Sequence, residues 1–216
     1  MSPAPRILLA TNNAHKRDEI AALLTPLGLD VVVPRDVGGL PDVVEDADTF
    51  AGNAAKKAAS AAAARGEWAL ADDSGLAVDA LGGAPGVRSA RYAGTHGDDA
   101  ANNAKVVAEL AALAEQRKGV DRGARFVCAL ALAAPDGSIA LAVEGETRGV
   151  MLREPRGDGG FGYDPLFEFA EPGHAQTGRC FAELTRPEKG AVSHRGRALA
   201  KLVERLPEIA GLLDGR

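Results

Sequence analysis

Two adjacent carboxylates, Asp72 and Asp73, follow the apolar run Trp68-Ala69-Leu70-Ala71 and precede Ser74-Gly75-Leu76. A strand over that run is predicted to end at the acids, with Gly75 turning the chain. The C-terminal end of a buried strand is where open α/β sheets place their ligands. Neighbouring anions repel, so burying them together adds no stability by itself. Carboxylates gathered without basic neighbours suit a hard cation such as Mg²⁺. Taken alone, the dipeptide suits a solvated turn better, and it is the rest of the sequence that favours the site.

A second candidate is Thr11-Asn12-Asn13-Ala14-His15-Lys16, at the junction of the first strand and the first helix. Lys16 and Arg17 fall in the first helical turn, where a cation costs roughly 0.3–1 kcal/mol against the helix dipole. An anion bound there would remove that cost and use the free backbone N–H groups. Side chains reaching into solvent are the other explanation. The oddity recurs at the last helix, where Ser193 is a good N-cap but His194, Arg195 and Arg197 crowd the start, with Lys189 upstream. Two basic helix starts on a chain of net charge −5 point to a small polyanion held between them. Arg can grip phosphate or a base carbonyl through two parallel hydrogen bonds.

Gly157-Asp158-Gly159-Gly160-Phe161-Gly162 matches G-x-G-x-x-G, but Pro155 precedes it and Tyr163-Asp164-Pro165 follows. A dinucleotide fingerprint needs a strand before and a helix after, so that reading is set aside. The loop instead lets backbone approach a flat ligand, with Phe161 available to stack on a base or to pack in the core. There is no P-loop and no nucleophile elbow around Ser74. The four histidines lack zinc-ligand spacing.

These residues need elements to hold them. Arg6–Ala10 reads as a buried strand, and a helix follows with Ile20, Leu23, Leu24 and Leu27 on one face. Val31–Val33 is a strand stopped by Pro34, and 38–48 is an acidic loop. A helix runs over about 49–65, capped by Thr49 or Asp48; its Ala-rich end suits a buried helix. Leu76 to Leu81 follows the acids, 85–94 is loop, and 98–116 is helix. Residues 126–134 and 139–143 form a hairpin about Pro135-Asp136-Gly137. Residues 166–169 form a further strand. The last helix runs from Ser193 to about Leu213, kinked or broken by Pro207. Early strand–helix alternation followed by a hairpin predicts a mixed α/β sheet. No linker divides the chain, so residues 1–216 are taken as one domain.

The 216 residues are 46% hydrophobic, which suits a globular protein without staples. The acidic balance argues against a general nucleic-acid polymer or membrane-surface binder. Two cysteines, no signal peptide and no long apolar run predict a reducing, cytoplasmic setting without a membrane span.

Taken together the blocks resemble one family. They are Thr11–Lys16; Thr49-Phe50 with Asn53-Ala54 and Lys57-Ala58; Ala71–Leu76; Pro85–Tyr92; Gly159–Pro165; and Glu183-Leu184-Thr185 through Glu188-Lys189 to Ser193–Gly196. Their order resembles the pyrophosphatases of non-standard purine nucleoside triphosphates, the inosine triphosphatase or dITP/XTP pyrophosphatase family. The resemblance implies an elongated α/β fold with a ligand cleft between two lobes, a homodimer, and Mg²⁺-dependent hydrolysis of ITP, dITP or XTP to the monophosphate and pyrophosphate. It implies that Asp73 is catalytic base and Mg²⁺ ligand, and that Glu45 is a second ligand. Substrate would be bound by Thr11, Asn12, Asn13, Ala14, His15, Lys16, Ser74, Phe161, Gly162, Tyr163, Asp164, Lys189, His194 and Arg195. The implied role is removal of deaminated purine nucleotides before polymerases use them. A pyrimidine-directed pyrophosphatase and a non-catalytic nucleotide sensor are the alternatives. Two residues depart from the family pattern. Gly52 stands where a Glu is usual, and Asn12 replaces a Gly, which Asn suits because it tolerates positive φ better than most.

Overall fold

The computed structural model describes residues 6–209. Six strands form one sheet in the order β2-β1-β3-β4-β5-β6, comprising β1 (Arg6–Leu9), β2 (Asp30–Val32), β3 (Ala69–Val78), β4 (Gly123–Ala133), β5 (Ile139–Met151) and β6 (Phe167–Phe169). β1 pairs in parallel with β2 and β3, whereas β6 pairs antiparallel with β5, so the sheet is mixed as the element order predicts. Among the described residues five α-helices accompany it: α1 (Ala14–Leu24), α2 (Phe50–Arg65), α3 (Asp99–Gln116), α4 (Arg186–Val192) and α5 (His194–Arg205). No described helix is long and apolar enough to cross a membrane.

The chain divides into two compact units. The first comprises Met1–Asp73, Cys128–Gly145 and Ala198–Arg216; the second comprises Ser74–Val127 and Glu146–Arg197. The division falls inside β3, β4, β5 and α5, so no linker separates the units.

In the first unit α2 shows why an alanine run was needed. Thr49 accepts a hydrogen bond from the Gly52 amide at its start, and Gly66, at φ +62°, ends it. Ala54, Ala58, Ala61 and Ala62 are buried in one cluster with Leu8, Ala69, Ala71, Ala129 and Ala131. Small side chains on both surfaces allow close helix–sheet approach. A second cluster gathers Ile7, Leu9, Ile20, Leu24, Leu70, Leu130 and Leu132 with Leu199 and Leu202. In the second unit the core is aromatic. Phe126 and Phe167 have centroids 4.6 Å apart, and Phe167 and Phe181 lie 4.9 Å apart. Contacts of this kind contribute beyond their buried area.

Several expectations are corrected. β3 does not end at the acids: it runs unbroken through Asp72, Asp73 and Gly75 to Val78. Gly75 is therefore not a turn residue. A Cβ there would collide with the Ser89 side chain and the Gly86 carbonyl, so close approach, not a bend, requires glycine. Asn12 is not in the left-handed region either, since no described non-glycine residue has positive φ. In β4 both faces are buried from Cys128 to Ala133. Residues 86–91 form a 3-10 helix within the expected loop. A separate short helix, α4, precedes Ser193; the last helix starts as expected after Ser193, as α5, and yields to a 3-10 turn, Leu206–Ile209, at Pro207. Its expected continuation to Leu213 lies outside the described residues, as do the side chains of Leu23 and Leu27.

Candidate active site

In the first unit, strand β3 presents both acids in the protein interior, with Asp72 1% and Asp73 7% exposed. Buried carboxylates need charged or hydrogen-bonding partners. Lys16, in the first turn of α1, supplies one: its Nζ lies 2.9 Å from Asp72 Oδ2. The cation that the helix dipole disfavours is thus held by a buried anion. α2 supplies two more partners, one turn apart. Asn53 Nδ2 donates to Asp73 Oδ2 at 3.1 Å, and Lys57 Nζ lies 3.6 Å from Asp73 Oδ1. Lys57 also donates to Glu45 Oε2 at 3.1 Å, bringing Glu45 and Asp73 to a common cation. Asn53 Oδ1 accepts from the Ala47 amide at 2.9 Å, which fixes the irregular segment carrying Glu45. Of the other acids nearby, Asp46 pairs with Lys56, and Asp42, Asp46 and Asp48 are exposed.

Burial raises the Asp73 carboxyl above its ordinary value, against the lowering effects of Lys57, the Asn53 hydrogen bond and Lys16. Burial, the largest influence on Lys57, pulls its ammonium down, but Asp73, Asp72 and Glu45 together hold it above its ordinary value. Local positive charge therefore falls short of what Asp73 loses in leaving water. A hard cation beside Glu45 and Asp73 would supply the difference. Among the described residues no three Asp, Glu, His or Cys side chains converge on one point. That donor set fits Mg²⁺, which is commonly held by one or two carboxylates with substrate phosphates and water completing its shell.

Thr11, Asn12, Asn13, Ala14 and His15 form the turn from β1 into α1, and all but Thr11 are exposed. Asn13 caps the helix by accepting from the Lys16 amide at 3.1 Å.

The second unit carries a different group. Arg195, only 2% exposed, donates from Nη2 to Ser74 Oγ at 3.0 Å. His194 is buried and stacks on Phe126, with centroids 4.7 Å apart and planes 12° apart. Lys189 Nζ donates to Asp164 Oδ2 at 2.6 Å, and the same oxygen accepts the Phe161 amide at 2.9 Å. Lys189 Nζ lies 4.7 Å from the centre of the Phe161 ring, and Arg195 Cζ lies 5.8 Å from it. Tyr163 donates to the Ser89 carbonyl at 2.8 Å. Ser74, Phe161, Asp164, Lys189 and Arg195 are thus linked through direct contacts. His194 and Tyr163 enter through core packing and a backbone bond. Arg197 is engaged elsewhere, at 2.6 Å from Glu171.

Sequence reasoning matched Asn53 and Lys57 to the family blocks without giving them work; their i, i+4 spacing, one face of a helix, was the available signal. It missed α4, whose capping box Thr185…Glu188 with Pro187 at the start is a standard helix-start pattern. α4 matters because it carries Lys189. Gly196 allows α4 and α5 to approach, since a Cβ there would strike the Gly190 carbonyl.

The fold is shared with solved HAM1 proteins. The chain is similar to a HAM1 protein from Coxiella burnetii, with TM-score 0.83 and 42% identity over 94% of this chain and 98% of that one. It is similar to the crystal structure of a nucleoside-triphosphatase/dITP/XTP pyrophosphatase from Mycobacterium abscessus, with TM-score 0.71 and 46% identity over 91% of this chain and 98% of that one. The chain belongs to the Ham1 family, whose sequence profile matches residues 7–205. Among curated relatives, a dITP/XTP pyrophosphatase of Desulforamulus reducens is 52% identical over 92% of this chain and 94% of its own. One of Streptomyces coelicolor is 47% identical over 95% and 99%. The resemblance read from the motif blocks is borne out.

Proposed function

We propose that this chain is a nucleoside triphosphate pyrophosphatase that hydrolyses dITP, XTP and ITP to the monophosphate and pyrophosphate. The observation that carries the reading is the buried Asp73 with its Asn53 and Lys57 partners, next to Glu45. Relatives named dITP/XTP pyrophosphatases, matched over nearly their whole length, give the substrate class.

In this reading Asp73 positions the attacking water and accepts its proton. A carboxyl raised by burial is a better base than a solvated one. Asn53 holds Asp73 Oδ2, and Lys57 lies 3.6 Å from Oδ1, so the carboxylate is oriented from both sides. Mg²⁺, held by Glu45 and Asp73, would offset phosphate charge and make the α-phosphorus easier to attack. Lys16, with the 11–15 turn, binds phosphate oxygens and stabilises charge on departing pyrophosphate. Asp72 holds Lys16 ready for that task.

Base selection falls to Arg195, His194 and backbone N–H groups, with Phe161 as stacking surface. Hypoxanthine and xanthine present a 6-keto acceptor to those donors. Adenine would leave them buried and unpaired, costing roughly 1–3 kcal/mol per group. Ser74 orients Arg195. The resemblance also carries the expectation of a cytoplasmic homodimer, which sedimentation of the purified chain tests.

The chemical step is tested by running the reaction with Mg²⁺ in water enriched in heavy oxygen. Attack at the α-phosphorus puts the label in the monophosphate, whereas label in released phosphate would refute the cut site. Asp73→Asn is expected to cut turnover by about 10²–10⁴-fold, the usual worth of a general base. Near-normal turnover would remove Asp73 from that role.

A further inference from the structure

The loop that carries Phe161 has no helix or strand of its own between Leu152 and Tyr163. Its backbone polar groups must therefore be held by something else. Gly162, next to Phe161, has φ +61°, and glycine has the largest conformational freedom of any residue. Both of its backbone polar groups are nevertheless engaged, by side chains of one helix. Its amide donates to Asp99 Oδ2 at 2.7 Å, and its carbonyl accepts from Asn103 Nδ2 at 2.9 Å. Asp99 and Asn103 stand four residues apart on α3, one turn, so they present acceptor and donor from one face. α3 is itself anchored at that end, where Asp98 caps the Ala101 amide at 3.0 Å. Buried Asn102 accepts from the Ala93 amide at 2.7 Å.

We infer that Asp99 and Asn103 are positioning residues for base recognition: by gripping both polar groups of Gly162 they set the orientation of the neighbouring Phe161 ring. The inference rests on the proposed stacking of the base on Phe161. The Asp164 carboxylate accepts the Phe161 amide and the Asp164 amide donates to the Phe161 carbonyl at 3.2 Å, so a turn closes around Gly162 and the two α3 side chains hold that turn from outside. A bond from a carboxylate to an amide is among the stronger hydrogen bonds, so the Asp99 contact carries more of the grip.

The polarity of the two bonds makes the test specific. Asp99→Asn keeps an acceptor and Asp99→Ala removes it; Asn103→Asp turns a carboxylate toward the Gly162 carbonyl. Asp99→Ala and Asn103→Asp are expected to raise KM for dITP about tenfold, with kcat within about twofold. Asp99→Asn is expected to stay within about threefold of the parent. Inorganic triphosphate, which has no base, should inhibit all forms equally. Without nucleotide, amide hydrogen exchange in the 157–165 segment should quicken in the two damaging variants and not in Asp99→Asn. Unchanged exchange overturns the inference, as does a loss of triphosphate inhibition parallel to the rise in KM. Phe161→Leu separates the two readings. If it leaves KM for dITP unchanged, the stacking reading fails; if it raises KM while Asp99→Ala does not, the positioning inference alone fails.

Discussion

Replacing Lys57 by Met keeps the length of the side chain and removes its charge. The ammonium lies 3.6 Å from Asp73 and 3.1 Å from Glu45. The side chains are 16% and 9% exposed for Lys57 and Asp73, so solvent screens the pair weakly. An opposite charge at this range lowers a carboxyl by about 1–3 pKa units. Asn53 and Lys16 remain in the variant and still oppose burial, so the carboxyl rises further without losing all of its support. Asp73 already titrates above its ordinary value of 3.8 because burial outweighs its partners, and the variant should move it higher still. The sign for stability follows. The protonated form of Asp73 favours the fold, so its contribution is present below 3.8 and lost as pH rises through the raised folded value. Lys57→Met should therefore lose more stability than the parent on passing from acid to neutral pH. The assay is carboxyl-carbon NMR titration of metal-free protein, with thermal melts at each pH. An Asp73 titration that stays put or moves down in Lys57→Met would refute the reasoning.

Three further outcomes are expected. Gly75→Ala should lower Tm by about 2–12 °C, because the new methyl must displace Ser89 and the Gly86 carbonyl and overpacking of this kind costs about 1–3 kcal/mol; calorimetry checks it. Arg195→Lys should cut the preference for dITP over dATP about tenfold or more, because an ammonium cannot reproduce the planar fork that touches Ser74; paired kcat/KM values decide. Glu188 is held down to about 2 by Arg179 and by the Thr185 amide and hydroxyl, so its contribution to stability is present above its ordinary value of 4.5 and lost as pH falls toward 2. Glu188→Gln should thus narrow the stability gap from the parent as the medium is acidified, a trend read from melts between those limits.

The sequence made the mixed sheet legible, because strand–helix alternation and the Pro135-Asp136-Gly137 hairpin are local patterns. The family was legible from the ordered blocks. The behaviour of β3 was not. Asp-Asp-Ser-Gly has the composition of a turn, and only partners distant in sequence, Lys16, Asn53 and Lys57, allow it to stay extended and buried. Gly75 illustrates the same limit, since glycine for close approach and glycine for a turn look alike until Ser89 is seen against it. Part of the charge at the basic helix starts is absorbed internally by Asp72, Asp164 and Glu171, partners that lie far off in sequence. α4 was lost because seven residues give too few turns for hydrophobic periodicity, although its capping box was readable.

The central claim is pyrophosphate release selected by the purine 6-keto group. Its most direct test is product analysis with Mg²⁺ on dITP, XTP and ITP beside dATP, dGTP and TTP. The account predicts monophosphate and pyrophosphate from the first three and little from the others. Orthophosphate as product, preference for TTP, or equal rates on dITP and dATP would contradict it.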